Sequence, residues 1–167
     1  MRTGRPERLR GFTYCGRHRY FLTFCTFQRR RCFTEPATVG VALDQIVRSA
    51  AREQFAIVAY CFMPDHLHLL VEATSEHADV RRLIKLAKQY SGYAFSQTCG
   101  ERLWQRYGYE RVLRGDEPTL RVARYILENP VRAGLAECPA DYPFSGSPVY
   151  SMEAVMDAIA WELTRPT

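Results

Sequence analysis

Short apolar runs alternate along this chain with segments whose apolar residues recur at helical spacing. The runs 20–27 (YFLTFCTF), 55–62 (FAIVAYCF) and 66–71 (HLHLLV) are rich in aromatic, β-branched and leucine residues and have the length of strands. Residues 63–65 (MPD) separate the second run from the third with turn-forming types, which indicates a tight hairpin. The segment 109–113 predicts a further, short strand.

Helical periodicity marks three longer segments of the chain. Residues 39–54 and 78–98 carry apolar positions three and four apart, with charged positions on the opposite side. A third helix is predicted over 116–129, with Asp116 as its N-cap and Pro130 as the residue that ends it. Each helix therefore has one face suited to packing against a sheet.

The order of these elements is strand, helix, strand, strand, helix, strand, helix. Such an order is typical of an α+β sandwich of the ferredoxin-like or RRM-like kind, in which helices cover a central antiparallel sheet. At 167 residues, the chain has room for a single core domain, predicted over 17–146. Residues 1–16 are predicted to form a loosely ordered basic lead-in, and 147–167 a tail with a short helix near 152–163.

Composition and charge narrow the range of partners. The net charge is +5 and the pI about 9.0, and Lys85 and Lys88 are the only lysines among 23 basic residues. The positive charge favours a polyanionic partner, and arginine forks match phosphates and base edges. A GC-rich genome is the alternative explanation of the arginine bias. No apolar run has the length of a membrane span, and no export signal is evident, which predicts a cytoplasmic protein without a membrane partner. The six cysteines form no C-x-x-C pair and are expected to be reduced thiols.

His66 and His68 are the first candidates for chemistry. Residues two apart in a strand project from the same face, so the two imidazoles should lie side by side and could bind a metal. A pair of structural or exposed histidines is the alternative. The chain lacks the H-E-x-x-H pattern of a zinc hydrolase and the second H-x-[ST] of a two-histidine phosphodiesterase.

Tyr125 and Asn129 are the next candidates. They lie four residues apart on the third predicted helix, so their side chains share one side of it, near the edge of the buried face. The Asn129 amide oxygen could complete a neutral ligand set with the histidines, which suits Mg²⁺ or Mn²⁺ and leaves positions for phosphate oxygens. The alternative is an ordinary half-buried helix tyrosine, since the chain has ten tyrosines.

Two motifs resemble the IS200-like single-tyrosine (Y1, HUH) transposases. The run 62–70 (FMPDHLHLL) resembles their His-hydrophobic-His signature. The segment 103–106 (LWQR), followed by 124–130 (RYILENP) and 133–135 (AGL), is similar to the REP-associated branch, which has a W-x-R segment and a Y-I-x-x-N-P helix end. With the early 20–24 (YFLTF) and the late 142–145 (YPFS), the resemblance extends over about residues 18–146.

The resemblance implies a metal-dependent endonuclease and strand-transferase acting on single-stranded or hairpin DNA of repeat elements. Tyr125 would be the nucleophile and form a 5′-phosphotyrosine, while His66, His68 and Asn129 would hold Mg²⁺ or Mn²⁺. A nucleoid-associated location and either a monomer or a homodimer are implied. Asp65 stands where Asn is commoner and is interpreted as a turn residue without a further role. Arg111 stands where many relatives have His.

Contacts with DNA are expected from clustered cations and from aromatic rings. Trp104, with Tyr107 or Tyr109 as alternatives, is a candidate for stacking on unpaired bases. The candidates for phosphate contacts are Arg17, Arg19, Arg29, Arg30, Arg31, Arg81, Arg82, Lys85 and Lys88.

Two other functions are compatible with the same residues. A nucleic-acid-binding module without catalysis could use this fold, although its sheet would then display histidines where stacking aromatics are expected. A metal-dependent phosphodiesterase using an activated water would leave Tyr125 as a structural residue. A covalent DNA–protein adduct is expected only from the transposase.

Overall fold

Five strands of the described residues form an antiparallel sheet with helices on both of its faces. The computed structural model describes residues 12–113 and 119–164. In chain order the elements are β1 (Arg19–Cys25), α1 (Pro36–Arg52), β2 (Phe55–Met63), β3 (His66–Ala73), α2 (Val80–Cys99), β4 (Tyr109–Leu113), α3 (Thr119–Leu127), α4 (Asn129–Arg132), β5 (Ser145–Gly146) and α5 (Met152–Thr164).

The strand order in the sheet is β4-β1-β3-β2-β5, and every neighbouring pair is antiparallel. β3 lies in the middle, where His66 pairs with Cys25 and His68 pairs with Thr23 of β1. The predicted α+β sandwich with a central antiparallel sheet and a His-x-His strand is therefore confirmed.

Side-chain alternation along β3 divides the core into two layers. Leu67, Leu69 and Val71 are buried with apolar side chains of α1 and α2. Leu70 faces the other way and packs with side chains of α3 and α5, such as Ile126. The two histidines share the side of Leu70, because residues two apart in a strand point the same way.

The β2–β3 hairpin turn is held by the segment that follows β1. The backbone N–H and the hydroxyl of Thr26 donate to the carbonyl of Asp65, at 3.0 and 2.9 Å. The N–H of Phe33 donates to the carbonyl of Pro64 at 3.0 Å. These bonds fix the start of β3, which is where His66 lies.

The predicted helix over 116–129 is only partly correct. α3 ends at Leu127, and a separate short helix, α4, begins at Asn129 with Pro130 in its first turn. Pro130 therefore does not end helical structure, because proline is tolerated in the first turn, where its missing N–H is not needed. The proposed cap Asp116 lies outside the described residues.

The ends of the described chain contribute to the core more than the sequence suggested. Tyr14 is buried and Cys15 forms a β-bridge with Asp79, so residues 12–16 pack on the domain. The short predicted tail helix is present as α5, and its Val155 and Ile159 are buried in the same layer as α3. Within the described ranges, no helix combines the length and apolarity that crossing a membrane requires.

Candidate active site

His66 and His68 form the centre of the candidate site. Their side chains leave β3 on the face that α3 covers, and their Nε2 atoms lie 3.2 Å apart. His68 is 7% exposed, while His66 lies closer to the solvent at the hairpin end of the strand. The predicted side-by-side arrangement of the two rings is confirmed.

The Nδ1 atoms of His66 and His68 both have oxygen partners. His66 Nδ1 lies 2.6 Å from Asp65 Oδ1, and His68 Nδ1 lies 2.9 Å from the Thr23 hydroxyl. When both Nδ1 atoms carry the proton, both Nε2 lone pairs point into the same small space. The 3.2 Å separation suits either a proton on one Nε2 that is donated to the other or a cation bound by both lone pairs, and the second arrangement fits a shared metal ion.

Burial keeps both histidines in the neutral form that a metal requires. Burial is the main cause that lowers the pKa of His68 to about 3, with smaller contributions from the nearby His66, Arg132 and Arg29. The pKa of His66 is also lowered, mainly by burial, although its hydrogen bond to Asp65 acts in the opposite direction. Neutral imidazoles can donate a lone pair without first losing a proton.

Tyr125 lies over the same face of the sheet. The buried side of α3 consists of Val122, Ala123, Ile126 and Leu127, and this leaves the Tyr125 side chain 48% exposed at the edge. The Tyr125 ring centroid is 6.3 Å from that of His68 and 6.0 Å from that of Phe21. The structure thus brings the predicted tyrosine beside the predicted metal ligands.

Asn129 is oriented by the backbone of the tyrosine. Its Nδ2 atom donates to the carbonyl of Tyr125 at 2.9 Å. Its Oδ1 atom has no hydrogen-bond partner among the described residues, so this oxygen is free to act as a ligand. Across 12–113 and 119–164, no three His, Cys, Asp or Glu side chains are grouped as a metal site, and the role of Asn129 as a ligand remains a prediction.

Arg132 was not among the predicted site residues. Its guanidinium lies 4.5 Å from the centre of the Tyr125 ring and donates to the Tyr125 carbonyl. It also bonds to Glu128 at 3.3 Å. A spacing of seven residues places Arg132 two helical turns beyond Tyr125, and this spacing could have indicated it from sequence.

Asp65 and Thr23 were also missed as parts of the site. Asp65 was interpreted as a turn residue alone, yet its carboxylate contacts both His66 and Arg29. Thr23 lies 45 residues from His68 in sequence, and only the β1–β3 register brings the two together. No local motif could have indicated Thr23.

The cations predicted on α2 lie on the layer away from the histidines. Arg81 is paired with Asp79 at 2.7 Å and Arg82 with Glu53 at 3.1 Å, both at the surface. Lys85 is exposed on the same helix. Their contacts with phosphate remain predictions.

The arginines around β1 have different surroundings. Arg17 pairs with Glu76 at 3.2 Å, Arg19 donates to the Thr119 hydroxyl, and Arg31 is exposed. Arg30 pairs with Glu101 and donates to the carbonyl of Arg102, and Arg29 pairs with Asp65. Arg29 is therefore engaged at the histidine site, and this contact competes with its predicted role on phosphate.

Two of the residues predicted to contact DNA have protein partners in the structure. Trp104 is 4% exposed and its indole N–H donates to the Ser91 hydroxyl at 2.8 Å, so its ring belongs to the core and cannot stack on a base. The Lys88 ammonium donates to the carbonyls of Gln105 and Arg106, at 2.7 and 3.2 Å. Burial lowers the pKa of Lys88 to about 8.

An open groove of about 490 Å³ lies between α2 and the segment that precedes β4. Tyr93 is 65% exposed at this groove, and the guanidiniums of Arg102 and Arg106 lie over the rings of Phe27 and Tyr107, at 5.0 and 5.4 Å. The residues that line it include no carboxylate: Lys88, Gln89, Gly92, Tyr93, Ser96, Arg102, Leu103, Trp104, Gln105 and Arg106.

A paired His-x-His on the central strand of an antiparallel sheet, with a tyrosine on the covering helix, is the arrangement that the resemblance implied for a tyrosine transposase domain. The family model described as "Transposase IS200 like" matches residues 15–129, and the chain belongs to that family. The resemblance found in the sequence is therefore confirmed.

Curated relatives belong to one group within this class. A REP-associated tyrosine transposase of Escherichia coli (strain K12) is 30% identical over 104 residues, which are 60% of this chain and 59% of that protein. A Haemophilus influenzae protein with the same group name is 28% identical over 102 residues, 54% of this chain and 58% of the relative. The chain thus spans less than two thirds of the length of these relatives.

Solved structures show the same fold. A REP-associated tyrosine transposase bound to a REP hairpin superposes with a TM-score of 0.68 at 22% identity, covering 83% of this chain and 82% of that one. A transposase structure from Deinococcus radiodurans gives a TM-score of 0.50 at 25% identity, covering 74% and 96% of the two chains.

Proposed function

We propose that this protein is a metal-dependent nickase and strand-transferase that acts on hairpin DNA with unpaired flanks. The observation that carries the proposal is the position of Tyr125, whose ring lies 6.3 Å from that of His68 beside the paired Nε2 atoms. A nucleophile and a metal site so close together can act on one phosphate. Membership of the IS200-like family supports this function, and the REP hairpin held by a protein of the same fold supports the substrate.

In the proposed reaction the Tyr125 oxygen bonds to the phosphorus of a DNA phosphodiester. The bond from that phosphorus to the 3′ oxygen breaks, the phenol proton leaves to water, and the 3′ oxygen takes up a proton to become a hydroxyl. The product is a 5′-phosphotyrosine, which stores the energy of the bond for transfer to another 3′-hydroxyl.

His66, His68 and Asn129 would hold Mg²⁺ or Mn²⁺, which would supply charge for polarising the phosphate. The chain's own residues would perform the other tasks. Phe21 packs against the rings of both His68 and Tyr125 and limits their movement. Arg132 lies over the Tyr125 ring, where its charge can stabilise the phosphate as negative charge develops.

The groove beside α2 is the surface we propose for the unpaired DNA. It combines arginines with an exposed tyrosine and no lining carboxylate, and this matches a negatively charged strand with bases that can stack. Tyr107 is exposed on the chain between this groove and the sheet. Tyr109, the first residue of β4, is also exposed, and its ring lies 6.2 Å from that of Phe21, next to the candidate site. A strand leaving the groove could follow these rings toward Tyr125.

The first experiment compares wild type with Tyr125→Phe on labelled hairpin DNA in the presence of Mn²⁺. The DNA would be drawn from repeats near the gene, and the products would be separated on a denaturing protein gel. Wild type should give a labelled protein band that disappears in Tyr125→Phe and after chelation. Tyr150→Phe removes a phenol of similar exposure, 54% against 48% for Tyr125, from the segment between β5 and α5 and should retain the band.

Cleavage without an adduct, unchanged in Tyr125→Phe, would refute the tyrosine mechanism and favour a phosphodiesterase with an activated water. DNA binding without cleavage in either protein would favour a non-catalytic binding module. Because Phe preserves the ring packing on Phe21 and His68, loss of the band cannot be assigned to misfolding.

A further inference from the structure

We propose that Arg29 and Asp65 form a positioning pair that holds His66 with its Nε2 lone pair free for a divalent cation. The inference rests on the proposed function only in taking a divalent cation as the ligand. The pair lies behind the ring of His66, on the side away from His68.

The carboxylate of Asp65 has one partner for each oxygen. Oδ1 lies 2.6 Å from Nδ1 of His66, and Oδ2 lies 2.8 Å from Nε of Arg29. A carboxylate at this distance accepts the Nδ1 proton, so the ring adopts the tautomer with an unprotonated Nε2. The guanidinium fixes the orientation of the carboxylate, and the order of contacts is Arg29, Asp65, His66 and the cation.

The backbone that presents Arg29 is in a costly conformation. Gln28 and Arg29 have φ angles of 56° and 57°, in the left-handed region that side chains disfavour. Such a conformation is unfavourable for a residue with a side chain and persists only where the surroundings impose it. In this conformation the Arg29 guanidinium bonds to Asp65 and, at 2.8 Å, to the sulfur of Cys25 at the end of β1.

The backbone of Asp65 is held independently of its side chain. The backbone N–H of Thr26 donates to the Asp65 carbonyl, and its hydroxyl is shared between the carbonyls of Asp65 and Arg30. The Pro64 carbonyl accepts from the N–H of Phe33. Substitution of the Asp65 side chain therefore leaves the hairpin turn anchored. An Asp65 variant should consequently report on His66 rather than on folding of the turn.

The test uses the full chain with Mn²⁺ alone as the probe and has two readouts. Long-range ¹⁵N–¹H spectra of the metal-free protein report which nitrogen of His66 carries the proton, and calorimetric titration gives the Mn²⁺ dissociation constant. Asp65→Ala should mix the tautomers and weaken Mn²⁺ binding by roughly 10- to 100-fold, the usual effect of losing such a partner. Arg29→Ala should weaken it less.

Asp65→Asn separates the two contacts, because its amide oxygen can still accept from His66 while the charge that pairs with Arg29 is gone. It should preserve the tautomer, and adding Arg29→Ala to it should weaken Mn²⁺ binding no further. Arg31→Ala is the matched control, since Arg31 is an exposed arginine of the same segment. Its His66 tautomer and its Mn²⁺ dissociation constant should equal those of wild type.

Unchanged tautomer and Mn²⁺ affinity in Asp65→Ala would overturn the inference. The inference would also be overturned if the losses of Mn²⁺ affinity in Arg29→Ala and Asp65→Asn added up in the double variant, because the two residues would then act separately. The outcome is distinct from that of the proposed function. If wild type forms no Tyr125 adduct, the proposed function fails, and the tautomer of His66 still tests the positioning pair. If Asp65→Ala forms the adduct as well as wild type does, the positioning pair is refuted and the proposed function stands.

Discussion

Thr23 shows how a single hydroxyl can orient a metal ligand. It is buried in β1 and contacts Nδ1 of His68 at 2.9 Å. Thr23→Val replaces the hydroxyl by a methyl group of the same shape and leaves Nδ1 of His68 without this hydrogen-bond partner. We expect the free energy of unfolding to fall by about 1–3 kcal/mol, and Mn²⁺ affinity to fall by roughly 10-fold.

Chemical denaturation and calorimetric titration would measure these two losses. Thr23→Ser keeps the hydroxyl and should restore most of the Mn²⁺ affinity, although it loses a buried methyl group. Equal Mn²⁺ affinity in Thr23→Val and wild type would show that the hydroxyl does not orient His68.

The positions of some side chains in the candidate site could be predicted from the sequence, and the positions of others could not. The shared face of His66 and His68 follows from the period of a strand, and the shared side of Tyr125 and Asn129 follows from the period of a helix. Trp104 was misplaced because an aromatic residue in an arginine-rich segment can face either the solvent or the core, and burial depends on the whole fold.

At the scale of elements, α5 supports the helix that carries Tyr125. Ile159 of α5 is 5% exposed and lies in the same apolar cluster as Val122 and Ile126 of α3. Ile159→Ala should lower the free energy of unfolding by about 2–5 kcal/mol, and Ile159→Val by about 0.5–1.5 kcal/mol. Urea denaturation would measure both, and a loss in Ile159→Ala no larger than in Ile159→Val would show that α5 contributes little.

The long elements could be predicted because their apolar pattern repeats over many residues, as in α2 and β2. β5 has only Ser145 and Gly146, so it has no pattern of its own and exists through pairing with Tyr60 and Cys61. α4 escaped prediction for another reason, since Pro130 both disrupts one helix and suits the first turn of the next.

In the whole molecule, the two layers of the core lie beside different parts of the proposed function, DNA binding and catalysis. The layer of α1 and α2 borders the groove, while the layer of α3 and α5 covers the histidines. Metal-free protein should bind labelled hairpin DNA through the groove, and Arg106→Ala should weaken binding and reduce the slope of affinity against salt by about 1.

Fluorescence anisotropy over a series of salt concentrations would give both quantities. Arg48→Ala is the control, because Arg48 is an exposed arginine on α1 paired with Asp44. An unchanged salt slope in Arg106→Ala would place the DNA elsewhere on the surface.

The Tyr125 carbonyl has a consequence for how the active site is assembled. Because that carbonyl accepts hydrogen bonds from Asn129 and Arg132, the three residues form one unit on consecutive helices. The histidines belong to the sheet, so the site consists of two halves carried by different elements of the chain. A chain damaged in one half would keep the other half intact, and two differently damaged chains could complement each other only by exchanging helices.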